Sequence, residues 1–209
     1  MKPLKLKIIL GSTRAGRFSE IAGAWIAEQA KKHPEFETEV LDLRVFEMPF
    51  FDQAVTSSSK TEPYTNPAVV RWTQKIAEAD AFVVVTPEYN HSTSAVLKNA
   101  MDWVSSEWNK KAVGYLAYGS LGGARAVEHL RNVAAEQGMV SVRNAVHILT
   151  PWMLREDYVG PLKAGSLDQY EHAAEGVLTQ LKEWASATRT MRMELVIPTI
   201  VSADSLVVA

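Results

Sequence analysis

Three short stretches concentrate the side chains able to do chemistry, and each follows an apolar run. The first is Gly11-Ser12-Thr13-Arg14-Ala15-Gly16-Arg17-Phe18-Ser19. Ser12, Thr13 and Ser19 offer hydroxyl donors, Arg14 and Arg17 can fork onto phosphate oxygens, and Gly11 and Gly16 permit close backbone approach. If a helix starts near Phe18 or Ser19, its first N–H groups lack intrahelical acceptors and face an anion. The stretch therefore reads as a site for a terminal phosphate, against the plainer alternative of a turn leading into a capped helix. It is not a nucleoside-triphosphate loop, because Arg17-Phe18 stands where Lys-Ser/Thr would follow the second glycine. The dinucleotide fingerprint is missing too, so Asp42, at the end of the second apolar run, is expected to be a surface carboxylate rather than a ribose ligand.

The second stretch is Pro87-Glu88-Tyr89-Asn90-His91-Ser92-Thr93-Ser94. Pro87 ends an apolar run and leaves Glu88, Tyr89 and Asn90 at its carboxyl edge, where ligands of open α/β sheets bind. Tyr89 can pack on a planar ring, Asn90 can meet a heterocycle edge, and Ser94 can cap the helix that follows. His91 has no partner histidine at metal-ligand spacing and is expected to be a hydrogen-bonded structural histidine. The third stretch, Gly119-Ser120-Leu121-Gly122-Gly123, is glycine-rich enough to leave backbone N–H groups bare, able to stabilise negative charge on a reduced ring. Its alternative is a flexible turn without a ligand.

The elements that must position these loops follow from periodicity. Apolar, β-rich runs at 4–10, 37–43, 81–86, 112–118 and 143–149 alternate with helical spacing at 19–32, 66–79, 94–104, 124–137 and 166–187. The run at 81–86 is continuously apolar, the pattern of a strand covered on both faces. Strict β/α alternation implies right-handed crossovers and a parallel sheet. Five units suit an α/β, flavodoxin-like, doubly wound sheet of order 2-1-3-4-5, which brings the loops leaving the first and third strands to one crevice. The connection at 44–67 is long enough to be a functional cover or a mobile excursion.

The chain has 209 residues, 47% hydrophobic and 22% charged, with a formal net charge of −2. One domain over 1–187 is expected, with a tail at 188–209 that reads either as an intersubunit arm or as a partly ordered end, and not as a helix. No global positive field exists to attract nucleic acid or an anionic membrane. The absence of cysteine removes disulfides and thiolate chemistry. The first ten residues are too short an apolar stretch for a signal peptide, and a cytoplasmic location is expected.

Together and in this order, "GSTRAGRFS", "PEYNHSTSAVLKNAMDW" and "GSLGGARAVEHLR" resemble the NADPH-dependent FMN reductase family of flavodoxin-like quinone, azo-dye and chromate reductases. The resemblance runs from about Leu4 to Gly138. It implies that Ser12, Arg14, Arg17, Phe18 and Ser19 hold the FMN phosphate. It further implies that Pro87, Glu88, Tyr89 and Asn90 border the isoalloxazine, and that Ser120, Gly122 and Gly123 close another side. It implies as well NADPH as reductant, a small acceptor such as a quinone, azo compound, metal oxyanion or flavin, and a homodimer or homotetramer with the long helix after the third strand in its interface. No catalytic acid, base or metal is required, since the chemistry belongs to the cofactor. One departure stands out: where many members have a glycine and a Pro-Gly, this chain has His91-Ser92-Thr93-Ser94-Ala95. The rival readings are a flavodoxin-type carrier reduced by a protein partner and a non-redox module for another phosphorylated ligand. Near-neutral charge and two loop arginines argue against the carrier.

Overall fold

The computed structural model describes residues 2–194. Five strands, β1 (Leu4–Leu10), β2 (Phe36–Asp42), β3 (Ala81–Pro87), β4 (Ala112–Gly119) and β5 (Val140–Leu149), form one sheet of order β2-β1-β3-β4-β5, and every neighbouring pair is parallel. The flavodoxin-like order expected from the alternation is the one found. Five helices connect and cover the strands: α1 (Ser19–Lys31), α2 (Pro67–Glu78), α3 (Ala95–Asp102), α4 (Ala124–Glu136) and α5 (Glu171–Glu194).

Period-2 alternation divides the core between the two faces of the sheet. Leu6, Ile8, Val83 and Val85 meet Ala22 and Ile26 of α1 and Val177, Leu178 and Leu181 of α5. On the opposite face Ile9, Phe82, Val84 and Tyr115 meet Trp72 and Ile76 of α2, Leu97 of α3 and Leu130 of α4. The tryptophans there are buried with their N–H groups satisfied: Trp72 donates to the Ala100 carbonyl at 2.7 Å and Trp108 to the Met101 carbonyl at 3.3 Å. Because β3 lies in the middle of the sheet, all seven of its residues are buried, which explains its unbroken apolar run.

The differences from the sequence reading are local. β5 begins at Val140, three residues before the expected run, because an edge strand tolerates polar residues such as Ser141 and the exposed Arg143. α3 has eight residues and is not long. α5 begins at Glu171, behind a 3₁₀ turn at Asp168–Tyr170, and passes the expected boundary at residue 187 without interruption. Its last turn is anchored: Arg192 donates to the Lys110 carbonyl at 2.5 Å and to Asp80 at 2.6 Å. Those bonds make Met191–Glu194 part of the fold rather than the expected non-helical tail. The proposed intersubunit arm otherwise lies outside the described residues.

Candidate active site

The loop 11–18 leaves β1 and enters α1 with its carbonyls turned into the protein. Ser94 Oγ donates to the Gly11 carbonyl, Arg17 to that of Ser12 at 2.5 Å, and Arg44 to those of Thr13 at 3.2 Å and Arg14 at 2.5 Å. In a trans peptide the N–H points opposite its carbonyl, so the amides of residues 12–15 are turned the other way. The first backbone N–H of α1 to find a backbone acceptor is that of Ala22, which bonds the Phe18 carbonyl, and no side chain caps the helix start. Gly16 turns the chain here at φ +62°, and a Cβ there would make only ordinary contact with Val159 Cγ1 at 3.8 Å. The Arg14 N–H donates to Ser12 Oγ at 3.4 Å; the other N–H groups from Ser12 to Ile21 have no acceptor among the described residues and gather at the positive end of a 13-residue helix.

The arginines of this loop are not equivalent. Arg17 is 3% exposed and its guanidinium is fully engaged: Nη1 and Nη2 meet the two Asp42 oxygens at 2.7 and 2.5 Å, and Nε and Nη2 meet Glu20 at 3.0 and 2.7 Å. Asp42 holds the Arg17 pKa above its ordinary value, and Arg17 in turn holds the Asp42 carboxyl below its own. Asp42 is thus half-buried and paired, not the surface carboxylate expected, because the fold carries the end of β2 alongside the loop after β1. Arg14, by contrast, is exposed, and among the described residues its guanidinium has no acidic partner. Arg14 is the loop's available cation; Arg17 is its brace. Ser19 Oγ is completely buried in the first turn of α1 and lacks a hydrogen-bond partner, while Ser12 Oγ lies 3.1 Å from Tyr89 Oη.

That Ser12–Tyr89 contact joins the loop after β1 to the exit of β3. Tyr89 and Ser92 pair across a two-residue turn in which Asn90 and His91 take φ +49° and +70°, the geometry of a tight hairpin that glycine and asparagine favour. Asn90 sits at the exposed tip. His91 is exposed too, and its Nε2 accepts from Arg125 at 2.8 Å. It is hydrogen-bonded as expected, but on the surface. Ser94 caps α3, accepting from Leu97 N–H at 3.3 Å. The Glu88 side chain turns away from the cleft: one carboxylate oxygen accepts from Arg125 N–H at 3.1 Å at the start of α4, and the other pairs with the Arg125 guanidinium.

At the end of β4, the Gly119 carbonyl accepts from Gly122 N–H at 3.2 Å and from Thr150 N–H at 2.8 Å. Gly122 is therefore occupied internally, and Glu88 already places negative charge at the start of α4. Of the amides expected to face a reduced ring, only that of Gly122 is spent in this way; the Gly123 N–H has no backbone acceptor. Ser120 and Leu121, whose N–H groups have no backbone acceptor, supply further free amides of this corner. Gly123, at φ +73°, is required sterically: a Cβ would lie 2.6 Å from Ala117 Cβ and 2.9 Å from Tyr118 N.

A cleft of about 250 Å³, open to solvent, runs between these loops. Arg14, Gly16, Arg17 and Phe18 line one end, Pro87, Glu88 and Tyr89 the middle, and Tyr118, Gly119 and Ser120 the far wall. Ser12, Ser19, Asn90, Gly122 and Gly123 stand behind or beside it. Burial pushes the Tyr118 hydroxyl up to about 12, so it stays protonated and able to donate. The sequence reading missed a fourth contributor, the segment after β5, which adds Pro151, Trp152, Arg155 and Tyr158. Its position past the carboxyl end of a strand, with two aromatic residues, was the available signal. Helix-start amides without acceptors, the exposed Arg14 guanidinium beside them and a cleft beyond bordered by aromatic side chains together fit a phosphate-tailed planar cofactor such as FMN.

Residues 4–151 match the NADPH-dependent FMN reductase family. The chain belongs to that family. FMN and NAD(P)H are the family's cofactor and reductant. Among curated relatives, an NAD(P)H-dependent FMN reductase of Schizosaccharomyces pombe is 35% identical over 130 residues, covering 62% of this chain and 65% of the relative's length. A 2-hydroxy-1,4-benzoquinone reductase of Burkholderia sp. is 34% identical over 140 residues, 63% of this chain and 70% of that protein. Among solved structures, a flavoenzyme NAD(P)H:(acceptor) oxidoreductase of Paracoccus denitrificans has the same fold, with a TM-score of 0.67 at 18% identity over 88% of this chain and 98% of that one. No helix among the described residues is long and apolar enough to cross a membrane.

Proposed function

We propose that this protein is an FMN-dependent NAD(P)H oxidoreductase that takes hydride from NADPH and delivers electrons to a small acceptor of the quinone type. The observation that carries the reading is the uncapped start of α1, opening through Gly16, Arg17 and Phe18 onto the cleft bordered by Tyr89 and Ser120. FMN, when bound, supplies the site that accepts and returns hydride.

The chain's own residues do the rest by binding and orientation. Loop amides and the Arg14 guanidinium hold the phosphate. Tyr89, fixed by Ser12, borders the ring, and the free Ser120 and Leu121 amides offer hydrogen bonds to its edge. Tyr118, packed edge-on against Phe18 with ring centroids 5.2 Å apart, gives the cleft a rigid protonated wall. Phe50 is 77% exposed beside a second opening that also reaches Ser12, Tyr89 and α3. That exposed ring supports a homodimer or homotetramer formed along this side, which sedimentation of the purified protein tests.

The deciding experiment is spectroscopic. The purified protein binds FMN and turns yellow, and anaerobic NADPH bleaches the flavin absorbance within a turnover time. A protein that ignores FMN refutes the reading, and one whose bound flavin neither NADPH nor NADH bleaches is an electron carrier instead. A panel of quinone, azo and metal-oxyanion acceptors then ranks the substrates.

A further inference from the structure

Arg155 lies four residues past the end of the family match, in a segment that leaves β5 and returns by a backbone bridge between Arg155 and Leu162. It is 5% exposed, yet it lines the cleft. Its guanidinium carbon stands 5.5 Å from the centroid of Phe18, the residue at the uncapped start of α1. Of the other arginines around the cleft, Arg17 is paired with Asp42 and Glu20, Arg44 with Glu20 and Arg125 with Glu88, while Arg14 is exposed and has no acidic partner among the described residues. Among the described residues, the Arg155 guanidinium has neither an ion pair nor a hydrogen bond.

Arg155 is nearly buried, but none of its nitrogens is enclosed without a partner, so its unused donors open onto the cleft; a guanidinium held there without an acid favours an anion as its counter-ion. Here it also faces the positive end of α1, whose first N–H groups have no backbone acceptor; Glu20, the acid of that first turn, is engaged by Arg17 and Arg44, so two features of one sign converge. An anion placed there satisfies both. Stacking on Phe18 contributes only modestly and leaves the guanidinium's donors unused.

We propose that Arg155 is a phosphate ligand of this site, closing on the same phosphate that the α1 amides and Arg14 hold, in the position that loop sequence alone would give to Arg17. The inference rests on the flavin reading above for the identity of that phosphate as the tail of FMN. It makes the segment 151–162 a wall fastened by the cofactor's phosphate.

FMN and riboflavin differ only in that phosphate, so paired titrations followed by flavin fluorescence isolate the contact. Arg155→Gln weakens FMN binding about 10- to 100-fold, as loss of one charge-assisted bond implies, and leaves riboflavin within about twofold. Arg155→Lys, which keeps the charge but loses the fork, recovers part of the loss. Equal weakening of both flavins marks a merely structural residue and overturns the proposal. Unchanged FMN binding with a raised KM for NADPH overturns it as well. Should Arg155→Gln not fold, hydrogen exchange in the wild type decides: FMN slows exchange in residues 151–162 more than riboflavin does, and equal protection refutes the contact. If the wild type binds neither flavin, the flavin reading fails and inorganic phosphate becomes the probe. It then raises the melting temperature of the wild type but not of Arg155→Gln, whereas an equal response overturns the anion site itself.

Discussion

Replacing Arg17 with alanine removes a side chain that sequence spacing assigns to the ligand and geometry assigns to the protein. The Arg17 side chain is 1% exposed and the Asp42 carboxylate it forks onto is 28% exposed. The substitution leaves that carboxylate half-buried and unpaired, and frees the Ser12 carbonyl that now accepts at 2.5 Å. Breaking a fully buried pair costs about 3–5 kcal/mol. Partial exposure of Asp42 reduces this to about 2–3 kcal/mol, and the Glu20 contact adds little because Glu20 is 52% exposed and screened. For a chain of this size the loss lowers the melting temperature by about 4–12 °C.

Thermal unfolding of flavin-free protein, followed by circular dichroism, measures the effect without the cofactor's own stabilisation. Arg14→Ala is the internal comparison. Its exposed guanidinium has no acidic partner, so stability stays within about 0.5 kcal/mol while FMN affinity falls about tenfold. The double variant Arg17→Ala/Asp42→Ala removes the stranded carboxylate and melts above Arg17→Ala alone. Arg17→Ala melting at the wild-type temperature, with Arg14→Ala losing several degrees, would refute the division of labour between brace and ligand.

Three further outcomes follow from the same geometry. Gly123→Ala forces a Cβ to 2.6 Å from Ala117 Cβ at φ +73°, and left-handed strain with overpacking destabilises by about 2–5 kcal/mol in urea unfolding. His91→Gly relieves the φ of +70° at the tip of the turn after β3 and, since the Arg125 contact it loses is exposed, raises stability by up to about 1 kcal/mol by calorimetry. Arg17 holds the Asp42 pKa below its ordinary 3.8, so the pair's contribution is complete above that pH and disappears as pH falls through the lower folded-state value. The stability gap between the wild type and Asp42→Asn is therefore widest near neutrality and closes in acid, which urea melts at pH 3, 5 and 7 measure; a gap that widens in acid contradicts the ion pair.

The sheet was legible because its signals are local and redundant. Seven buried residues in β3 announce a central strand by their own composition, and β/α alternation leaves few ways to order the rest. Boundaries were less legible where burial is one-sided. Arg143 hides the start of β5 because an edge strand needs only half its residues covered, and α5 runs past residue 187 because Arg192 reaches Asp80, 112 positions away in sequence. The two loops named for the cofactor by spacing do come together in the cleft, since the 2-1-3-4-5 order makes their strands neighbours.

What a side chain does within such a loop is set by residues that spacing does not bring near it. Arg14 and Arg17 are three positions apart in one glycine-rich turn, and nothing in that turn distinguishes them. Asp42 distinguishes them, arriving from the end of β2 to claim one and leave the other free. The same logic runs in reverse for Arg155. It carries no motif, yet burial without an acid beside the open end of α1 gives it the character that the loop's second arginine lacks. The proposed phosphate site is read from the charges that remain unpaired, so the decisive count is of guanidinium groups facing the cleft without an acid rather than of arginines in the loop after β1.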